Sequence, residues 1–453
     1  MLETEFSLGP VLGGEPTTTT PRLRLQVEPH DRVERFALGQ AGYISRIVER
    51  RDGSFGVTKI LPDQPPPDPR LSTLAATFDL ALLTAASAPR LRSKAASASR
   101  PRSKGTAVRV ADLFSGCGAM SLGVAEACRA LGLTFTPAFA LDMNESAIEV
   151  YEQNFPVSHT SRKRVEQLLD GRLGSKPTKV ERSLKTKVGR IDVLLGGPPC
   201  QGHSDLNNHT RGDDDRNALY AKMARFADVF RPKHIIIENV KAVQRDKGKV
   251  VGKTRAHLER NGYSVAEFVL EASSFGVPQT RSRHFLVASR KRDLKGFEAA
   301  IRKFQVPPRS AWWAISDLES IVGETIFDTP STASEENRAR IEYLFEHDAH
   351  DLPDAQRPDC HKLKSHTYKS IYGRIHQDLP AQTITTGFGS MGQGRFVHPT
   401  KPRTITPHEA ARLQFIPDWF DFSVVEHRSR VAELIGNAVP PKLSYVLALE
   451  LLR

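Results

Sequence analysis

The stretch VRVADLFSGCGAMSLG, residues 108–123, joins an apolar run to a glycine-bearing turn and then to a helical pattern. It predicts a buried strand, a tight turn and a helix, which together begin a parallel α/β unit. Further apolar runs follow at residues 137–142, 191–197, 234–239, 263–272 and 284–289. Continuous strands alternating with helices predict an α/β fold with a doubly wound, mostly parallel sheet.

The composition points to a polyanionic partner. The 453 residues include 64 Lys and Arg against 52 Asp and Glu, which gives a formal net charge of +12. This balance favours nucleic acid before a membrane surface. The four cysteines form no C-x-x-C pair, so we predict no metal site, and such sparse cysteine usage fits a reducing compartment. Without a signal-peptide pattern or an apolar run of bilayer length, we expect a cytoplasmic protein that does not associate with membranes.

The patterns divide the chain into five parts. Residues 1–60 are an N-terminal extension in which RDGSFG, residues 51–56, predicts a hairpin turn and a small β element. Residues 61–106 read as a proline-rich and then basic linker. We assign residues 107–295 to the α/β domain, 296–424 to a smaller, irregular, β-rich domain, and 425–453 to a C-terminal helix that returns to the first domain.

The glycine turn and an acidic strand end predict a ligand site. Gly116 and Gly118 allow a tight turn beneath a ligand. Asp142 ends the second strand, where a carboxylate can accept both hydroxyls of a ribose; the alternative is that it caps the next helix. A dinucleotide-binding fingerprint requires Gly or Ala at the position of Ser121, which argues against a nicotinamide cofactor. Together these features favour a ligand that contains adenosine.

A cysteine follows two glycines and two prolines in GGPPCQG, residues 196–202. The prolines fix φ at consecutive positions, so the thiol of Cys200 is held rigidly beyond a strand end. Such a thiol suits a nucleophile, provided that its pKa is lowered or charge is accepted elsewhere. The alternative is a buried spacer.

Glu238 follows the β-branched run HIIIE, again at a strand end. Partial desolvation there raises the pKa of a carboxyl group and lets it donate a proton near neutrality. Arg281 and Arg283 lie two apart in QTRSR, so in an extended segment they share a face and one of them can orient Glu238. The alternative for these residues is a structural ion pair.

One reaction uses an adenosine ligand, a rigid thiol, an acid and an arginine: methyl transfer to carbon 5 of cytosine. A thiolate that adds to C6 makes C5 nucleophilic, and protonation of N3 keeps negative charge from building on the ring. C5 then attacks the methyl group of S-adenosylmethionine, and loss of the C5 proton expels the thiol.

These motifs, in their order along the chain, resemble those of the DNA (cytosine-5)-methyltransferase family over residues 108–290 and 379–453. The resemblance implies a Rossmann-like methyltransferase fold with a target-recognition domain at 296–424. It makes Cys200 the nucleophile, Glu238 the residue that holds N3, Asn239 a support of the strand end, and Arg283 rather than Arg281 the main arginine partner. It implies a cofactor pocket bordered by Phe114, Gly116, Gly118, Asp142, Met143, Pro198, Asn437, Ala438 and Val439.

The resemblance also implies duplex DNA as the substrate, with the target base rotated into the pocket. We predict DNA contacts from Gln201, Ser204, Arg395 and Lys401, although Arg395 and Lys401 could equally face solvent. We expect a monomer on DNA, near the bacterial nucleoid, and leave open whether a cognate restriction endonuclease exists. Trp312 and Trp313 are expected in the core.

Two features depart from the family pattern. The third strand lacks the usual cofactor-binding Asp and offers only Glu166 or Asp170 nearby, and residues 160–190 form a basic insertion. Alternatives to the DNA enzyme are a tRNA cytosine-5 methyltransferase, a non-catalytic DNA-binding relative and a nicotinamide oxidoreductase. The long segment 296–400 favours DNA over tRNA, and Cys200 with Glu238 argues against a non-catalytic protein.

Overall fold

The computed structural model describes residues 106–199, 217–245, 249–321, 323–359 and 371–453, with five strands before residue 60 and a few residues at 76–84. Seven strands form the central sheet, in the spatial order β6-β8-β5-β4-β1-β2-β3. Their bounds are β1 Ala107–Leu113, β2 Thr134–Leu141, β3 Thr160–Ser161, β4 Val193–Gly196, β5 His234–Val240, β6 Ser264–Glu271 and β8 Ser282–Ser289; β7, Gln279–Thr280, lies outside this sheet.

The predicted mostly parallel sheet is confirmed. Strands β1 to β5 are parallel to one another. Strand β8 lies between β5 and β6 and is antiparallel to both. The central strands are buried on both faces, which explains their continuous apolar sequences. The carboxyl ends of β1, β2, β4 and β5 therefore open at one edge, where parallel sheets bind ligands.

Helices cover both faces of the sheet. The helices of the described residues, which include some outside the sheet layers, are α1 Ala119–Ala130, α2 Glu145–Asn154, α3 Val165–Leu168, α4 Lys179–Val188, α5 Asn217–Phe230, α6 Val250–Arg260, α7 Phe297–Arg302, α8 Ala311–Ile315, α9 Glu335–Glu346, α10 Pro407–Leu413, α11 Arg428–Asn437 and α12 Pro441–Leu452. One apolar core joins the sheet to α3, α5 and α6, and another joins α1 and α2 to α8, α10 and α11.

The C-terminal segment forms two helices where the sequence predicted one. Helix α11 ends at Asn437 and α12 begins at Pro441. Pro440 and Pro441 lack the N–H groups that a continuous helix would need, which explains the break. Helix α12 packs closely on α1, and the Ser444 hydroxyl donates to the Met120 carbonyl oxygen at 2.9 Å.

The region from 296 to 424 is irregular, as predicted, but its described residues contain little β-structure. They include one two-residue strand, β9 Ala381–Gln382, which pairs with β7, and otherwise short helices and turns. Ser310, Ser334 and Thr406 accept hydrogen bonds as the N-caps of α8, α9 and α10, so polar residues begin these helices. Trp312 and Trp313 pack against the core, in agreement with the prediction.

The chain divides into two compact units, of which residues 83–100 and 104–453 form the larger. Residues 296–424 thus share one unit with the sheet. The smaller unit contains an antiparallel sheet of Arg32–Leu38, Ile44–Glu49 and Phe55–Lys59, with the last two strands joined across the predicted hairpin turn. Among the described residues, none of the helices has both the length and the apolar composition needed to cross a bilayer.

Candidate active site

The turn after β1 and the acid after β2 are joined by a hydrogen bond. The Gly116 N–H donates to Asp142 Oδ2 at 2.9 Å, and the Asn144 N–H donates to Asp142 Oδ1 at 2.9 Å. The side chain of Asn144, not that of Asp142, caps helix α2. Asp142 is therefore not the N-cap that the alternative interpretation required, and its half-buried carboxylate is held at the strand end.

The glycine turn adopts conformations that favour glycine. Gly116 and Gly118 have φ of +52° and +92°, and Phe114 between the strand and the turn has φ of +57°. A Cβ on Gly118 would lie 2.6 Å from the Phe155 ring, whereas a Cβ on Gly116 would meet no atom within 4 Å. The turn is thus packed on its Gly118 side and open above Gly116, where a ligand can lie.

The end of helix α11 lies beside this turn. The thiol of Cys117 is 3.9 Å from the Leu434 carbonyl oxygen, and the charge of Glu433 acts on Asp142. Asn437, which ends α11, is exposed, whereas Ala438 and Val439 are buried. The fold therefore brings α11 towards the glycine turn, where sequence motifs more than 300 residues apart were expected to meet. Met143 is 70% exposed next to Asp142, so its side chain is accessible to a ligand at this edge of the sheet.

Glu238 and Arg283 form an ion pair on the face of the sheet. Glu238 lies opposite Phe285, and Arg283 lies opposite Val240, so the two are diagonal neighbours on adjacent antiparallel strands. Arg283 Nε is 2.8 Å from Glu238 Oε1. Burial raises the pKa of Glu238 above its ordinary value, although the charges of Arg283, Arg281 and His284 act in the opposite direction.

The glycine–proline segment begins beside this ion pair. A Cβ on Gly197 would lie 3.2 Å from Glu238 Oε2, so only a glycine backbone leaves this approach to the carboxylate free. Asn239 Nδ2 donates to the Pro198 carbonyl oxygen at 3.2 Å, which ties the end of β5 to the proline segment. Cys200, Gln201 and Ser204 lie outside the described residues.

Arg281 has different partners from Arg283. Its Nη1 donates to the Ile384 carbonyl oxygen at 2.8 Å, and its Nη2 donates to the Gly436 carbonyl oxygen at 3.1 Å. The two arginines of QTRSR, predicted to share a face, therefore bind separate parts of the molecule. Arg283 orients the acid, whereas Arg281 holds backbone segments.

The predicted DNA contacts Arg395 and Lys401 are engaged within the chain. Arg395 donates to the His350 carbonyl oxygen at 2.7 Å and to Asp351 Oδ1 at 2.6 Å, and its side chain is 10% exposed. This geometry gives Arg395 a structural place in its region. Lys401 is 44% exposed and lies 3.6 Å from Glu319, so its amine is accessible.

The two candidate acids after the third strand are occupied by local contacts. Glu166 is paired with Arg164 at 3.5 Å, and Asp170 accepts a hydrogen bond from the Thr178 hydroxyl at 2.5 Å. The basic insertion that contains them is held by a buried pair, in which Arg225 Nε donates to Glu181 Oε1 at 2.8 Å. That this insertion is folded and held by a buried ion pair was not expected from the sequence.

A buried network beneath the glycine turn was also missed. The Ser121 hydroxyl donates to Asp112 Oδ2 at 2.7 Å and lies 2.8 Å from the Tyr151 hydroxyl. Burial raises the pKa of Asp112 to about 7. An acid that interrupts the apolar run VRVADLF was the available signal, but its partners lie on two different helices that no local pattern connects.

The order of the strands and the helices on the sheet define a Rossmann-like α/β fold. A crystal structure described as an E. coli prophage-encoded DNA modification methyltransferase matches the fold with a TM-score of 0.52 at 23% identity, covering 76% of this chain and 98% of that one. The C-5 cytosine-specific DNA methylase family model matches residues 108–453. The chain belongs to this family and is a DNA (cytosine-5)-methyltransferase.

Two relatives show how far the similarity extends. The chain is 45% identical over 434 residues to the type II methyltransferase M1.BsuMI of Bacillus subtilis, covering 95% of this chain and 98% of the relative. It is 29% identical to the type II methyltransferase M1.HphI of Haemophilus parahaemolyticus, covering 74% of this chain and 84% of that one. The M1.BsuMI alignment includes most of the residues before 108, which the family model leaves unmatched.

Proposed function

We propose that this enzyme methylates carbon 5 of a cytosine that is flipped out of a specific duplex sequence, through a covalent bond between Cys200 and C6. The observation that carries the proposal is the buried Glu238–Arg283 pair, with Gly197 against the carboxylate and Pro198 bonded to Asn239. Cys200 follows Pro198 by two residues in the sequence, which supports the proposal that its thiol is the nucleophile of this site.

The residues at the ends of β1 and β2 fit S-adenosylmethionine as the cofactor. We infer that Asp142 holds the ribose hydroxyls, that Met143 lies against the adenine, and that the open side of the turn at Phe114, Gly116 and Gly118 accommodates the rest. Pro198, Asn437, Ala438 and Val439 complete the pocket. When bound, the sulfonium group supplies an electrophilic methyl group to C5.

The roles of Glu238 and Arg283 follow from their burial. Because burial raises the pKa of Glu238, a protonated carboxyl group persists closer to neutral pH and can donate to N3 of the cytosine. The sulfur electron pair of Cys200 adds to C6 and ring electrons move towards C5, while the proton at N3 prevents a full negative charge. After C5 has been methylated, a base removes its proton, and the returning electron pair expels the thiolate. Arg283 fixes the direction in which the acid points.

The target base has to leave the helix before the thiol can reach C6. Extrusion costs a few kcal/mol, which contacts elsewhere on the DNA offset. We assign these contacts to Gln201 and Ser204 near the nucleophile and to the exposed Lys401, with residues 296–424 as the recognition region. Arg395 can contribute only if it leaves its present partners.

The similarity to M1.BsuMI supports a sequence-specific methyltransferase of a type II restriction-modification system. We further propose that the enzyme acts as a monomer on DNA. Bisulfite sequencing of DNA from cells that express the protein identifies the target. A duplex with 5-fluorocytosine at that target is then incubated with the enzyme and S-adenosylmethionine. We expect an SDS-stable adduct, because fluorine cannot leave C5 as a proton does.

The Cys200→Ser variant and an unmodified duplex are the matched controls. No adduct with the modified duplex would contradict the covalent mechanism. An adduct with 5-fluorocytosine tRNA but not with DNA would instead favour the tRNA methyltransferase.

A further inference from the structure

Arg281 is a buried cation that forms no ion pair with the described residues, although the charge of Glu238 acts on it from a longer distance. Its side chain is 3% exposed, and among the described residues no acidic oxygen lies within ion-pair distance of it. Its guanidinium instead donates to the carbonyl oxygens of Ile384 and Gly436, while its Nε makes no hydrogen bond. A buried charge is costly without an anion, so a residue kept in this state has a function that a neutral side chain would not supply equally well.

Two buried glutamines extend these contacts. Gln279 Nε2 donates to the Leu413 carbonyl oxygen at 2.8 Å and to Gln414 Oε1 at 2.7 Å, and Gln279 Oε1 accepts from the Ile384 N–H at 3.0 Å. Gln414 Nε2 donates to the Ile435 carbonyl oxygen at 2.7 Å. We call Gln279, Arg281 and Gln414 the polar junction.

The polar junction holds two backbones in direct contact. A Cβ on Gly436 would lie 2.3 Å from the Thr386 backbone nitrogen and 2.4 Å from the Thr385 carbonyl carbon. The end of α11 and the segment after β9 therefore touch without a side chain between them. Movement of either backbone would break its hydrogen bond to Arg281 and would displace the other backbone.

Three functional parts of the enzyme lie within a few residues of the polar junction along the chain. Asn437, Ala438 and Val439 of the proposed cofactor pocket follow Gly436 directly. Arg283, which orients Glu238, comes two residues after Arg281. The segment from Ala381 to Phe388 continues into the glycine-rich part of the recognition region.

We propose that Arg281 is a positioning residue that couples cofactor binding to DNA binding, because its guanidinium holds Ile384 of the recognition region and Gly436, which directly precedes the proposed cofactor-pocket residues, at once. The proposal rests on the proposed function. The planar fork of an arginine can bridge two carbonyl groups in fixed geometry, which the single ammonium of a lysine does not reproduce. Coupling of this kind is reciprocal, so cofactor and DNA each raise the affinity for the other.

The test measures the dissociation constant of S-adenosylhomocysteine by calorimetry, with and without the target duplex found by bisulfite sequencing. We expect the duplex to tighten binding on the order of tenfold in the wild type, within the usual range of allosteric coupling. The coupling ratio is the dissociation constant without the duplex divided by that with it. In Arg281→Lys this ratio should fall to within about twofold of one. In Gln414→Leu, which keeps the guanidinium but removes the bond to Ile435, the ratio should fall less.

Arg225→Lys is the matched control, because Arg225 is also a fully buried arginine but is paired with Glu181 far along the chain from the junction. It should lower thermal stability and leave the ratio unchanged. The coupling would be overturned if Arg281→Lys and Gln414→Leu both kept the coupling ratio of the wild type. It would also be overturned if the ratio of the wild type itself were one. If Arg281→Lys does not fold, the result with Gln414→Leu decides.

Failure of the proposed function gives a different result. A wild-type enzyme that binds neither S-adenosylhomocysteine nor duplex DNA would overturn the proposed function and the coupling with it. A wild-type enzyme that methylates DNA but shows equal ratios in all variants would overturn the coupling alone.

Discussion

Arg283 Nε lies 2.8 Å from Glu238 Oε1, and both side chains are largely removed from solvent. In Glu238→Gln, the amide can still bond to Arg283 or to a cytosine, but it cannot give up a proton. We expect kcat to fall by about 10²- to 10⁴-fold, the range for loss of a general acid, with DNA affinity changed little.

The pH profile of kcat/KM provides the check on this role. The protonated form of Glu238 is populated below its raised pKa, so wild-type activity should decline as the pH rises through that value. The residual activity of Glu238→Gln should lack this decline. If kcat/KM of wild type and of Glu238→Gln declined in the same way at alkaline pH, the decline would come from a group other than Glu238.

A second prediction concerns the nucleophile. Cys200→Ser replaces the thiol with a far weaker nucleophile at neutral pH, so methyl transfer should be lost. Binding of S-adenosylhomocysteine and of the target duplex should remain within a few-fold of wild type, because the thiol acts after both have bound. Turnover near the wild-type rate would refute the assignment.

Asp112 predicts a pH dependence of stability. Its carboxyl group has an ordinary pKa of 3.8 and a pKa of about 7 in the fold. Between these values the unfolded chain loses the proton while the folded chain keeps it, so the wild type loses stability as the pH rises through this window. Asp112→Asn can still accept from Ser121 and has no proton to lose. It should therefore gain stability relative to wild type with rising pH, on the order of a few kcal/mol by pH 8.

Urea unfolding of both proteins at pH 5 and pH 8 measures this difference. A stability difference that is the same at the two pH values would show that Asp112 is ionised throughout.

His408 predicts a second pH dependence of stability, in the same direction. Its Nδ1 lies 2.8 Å from Asp328 Oδ1 and its Nε2 lies 2.9 Å from Asp418 Oδ1, so both bonds form fully only in the protonated ring. The two carboxylates raise the pKa of His408 above its ordinary 6.5. The stabilisation is complete below that ordinary value and is lost as the pH rises through the raised one.

His408→Gln should therefore be less stable than wild type at pH 6, by about 1 kcal/mol in the free energy of unfolding. This difference should narrow by pH 9, as thermal unfolding at the two pH values measures. A gap that does not change with pH would mean that the neutral ring suffices.

Gly118 and Gly252 form a matched pair for the glycine turn. Gly118→Ala places a Cβ against the Phe155 and Tyr151 rings at a φ of +92°, and should destabilise the protein by about 1–3 kcal/mol and weaken cofactor binding. Gly252, in helix α6, has no atom within 4 Å of its Cβ position, so Gly252→Ala should stabilise the protein by about 0.5–1 kcal/mol. Thermal unfolding and calorimetric titration with S-adenosylhomocysteine measure both effects. Equal effects of the two substitutions would show that the turn tolerates a side chain.

Local patterns explain which parts of the fold could be predicted. Continuous apolar strands and the glycine turn are properties of neighbouring residues, so the sheet and the positions of Asp142 and Glu238 at strand ends followed from the sequence. The place of β8 between β5 and β6 depends on pairing between distant strands, which periodicity does not encode.

The same limit applies to single side chains. Arg395 looked like a phosphate contact because it follows glycines, yet its partners His350 and Asp351 lie more than 40 residues earlier. The spacing of two did not by itself distinguish Arg281 from Arg283, and the family resemblance was needed to favour Arg283. The tertiary contacts with Ile384, Gly436 and Glu238 give the physical difference between the two arginines.

The close packing of α12 on α1 has a consequence for biosynthesis. A Cβ on Gly123 would lie 2.0 Å from the Pro441 carbonyl oxygen, so α1 packs directly against the backbone of a helix that is synthesised more than 300 residues later. Until α12 has been made, the nascent chain exposes the face of α1 that this helix covers. Exposed apolar surface makes incomplete chains prone to aggregation, so we expect the yield of the enzyme to depend on chaperones during synthesis.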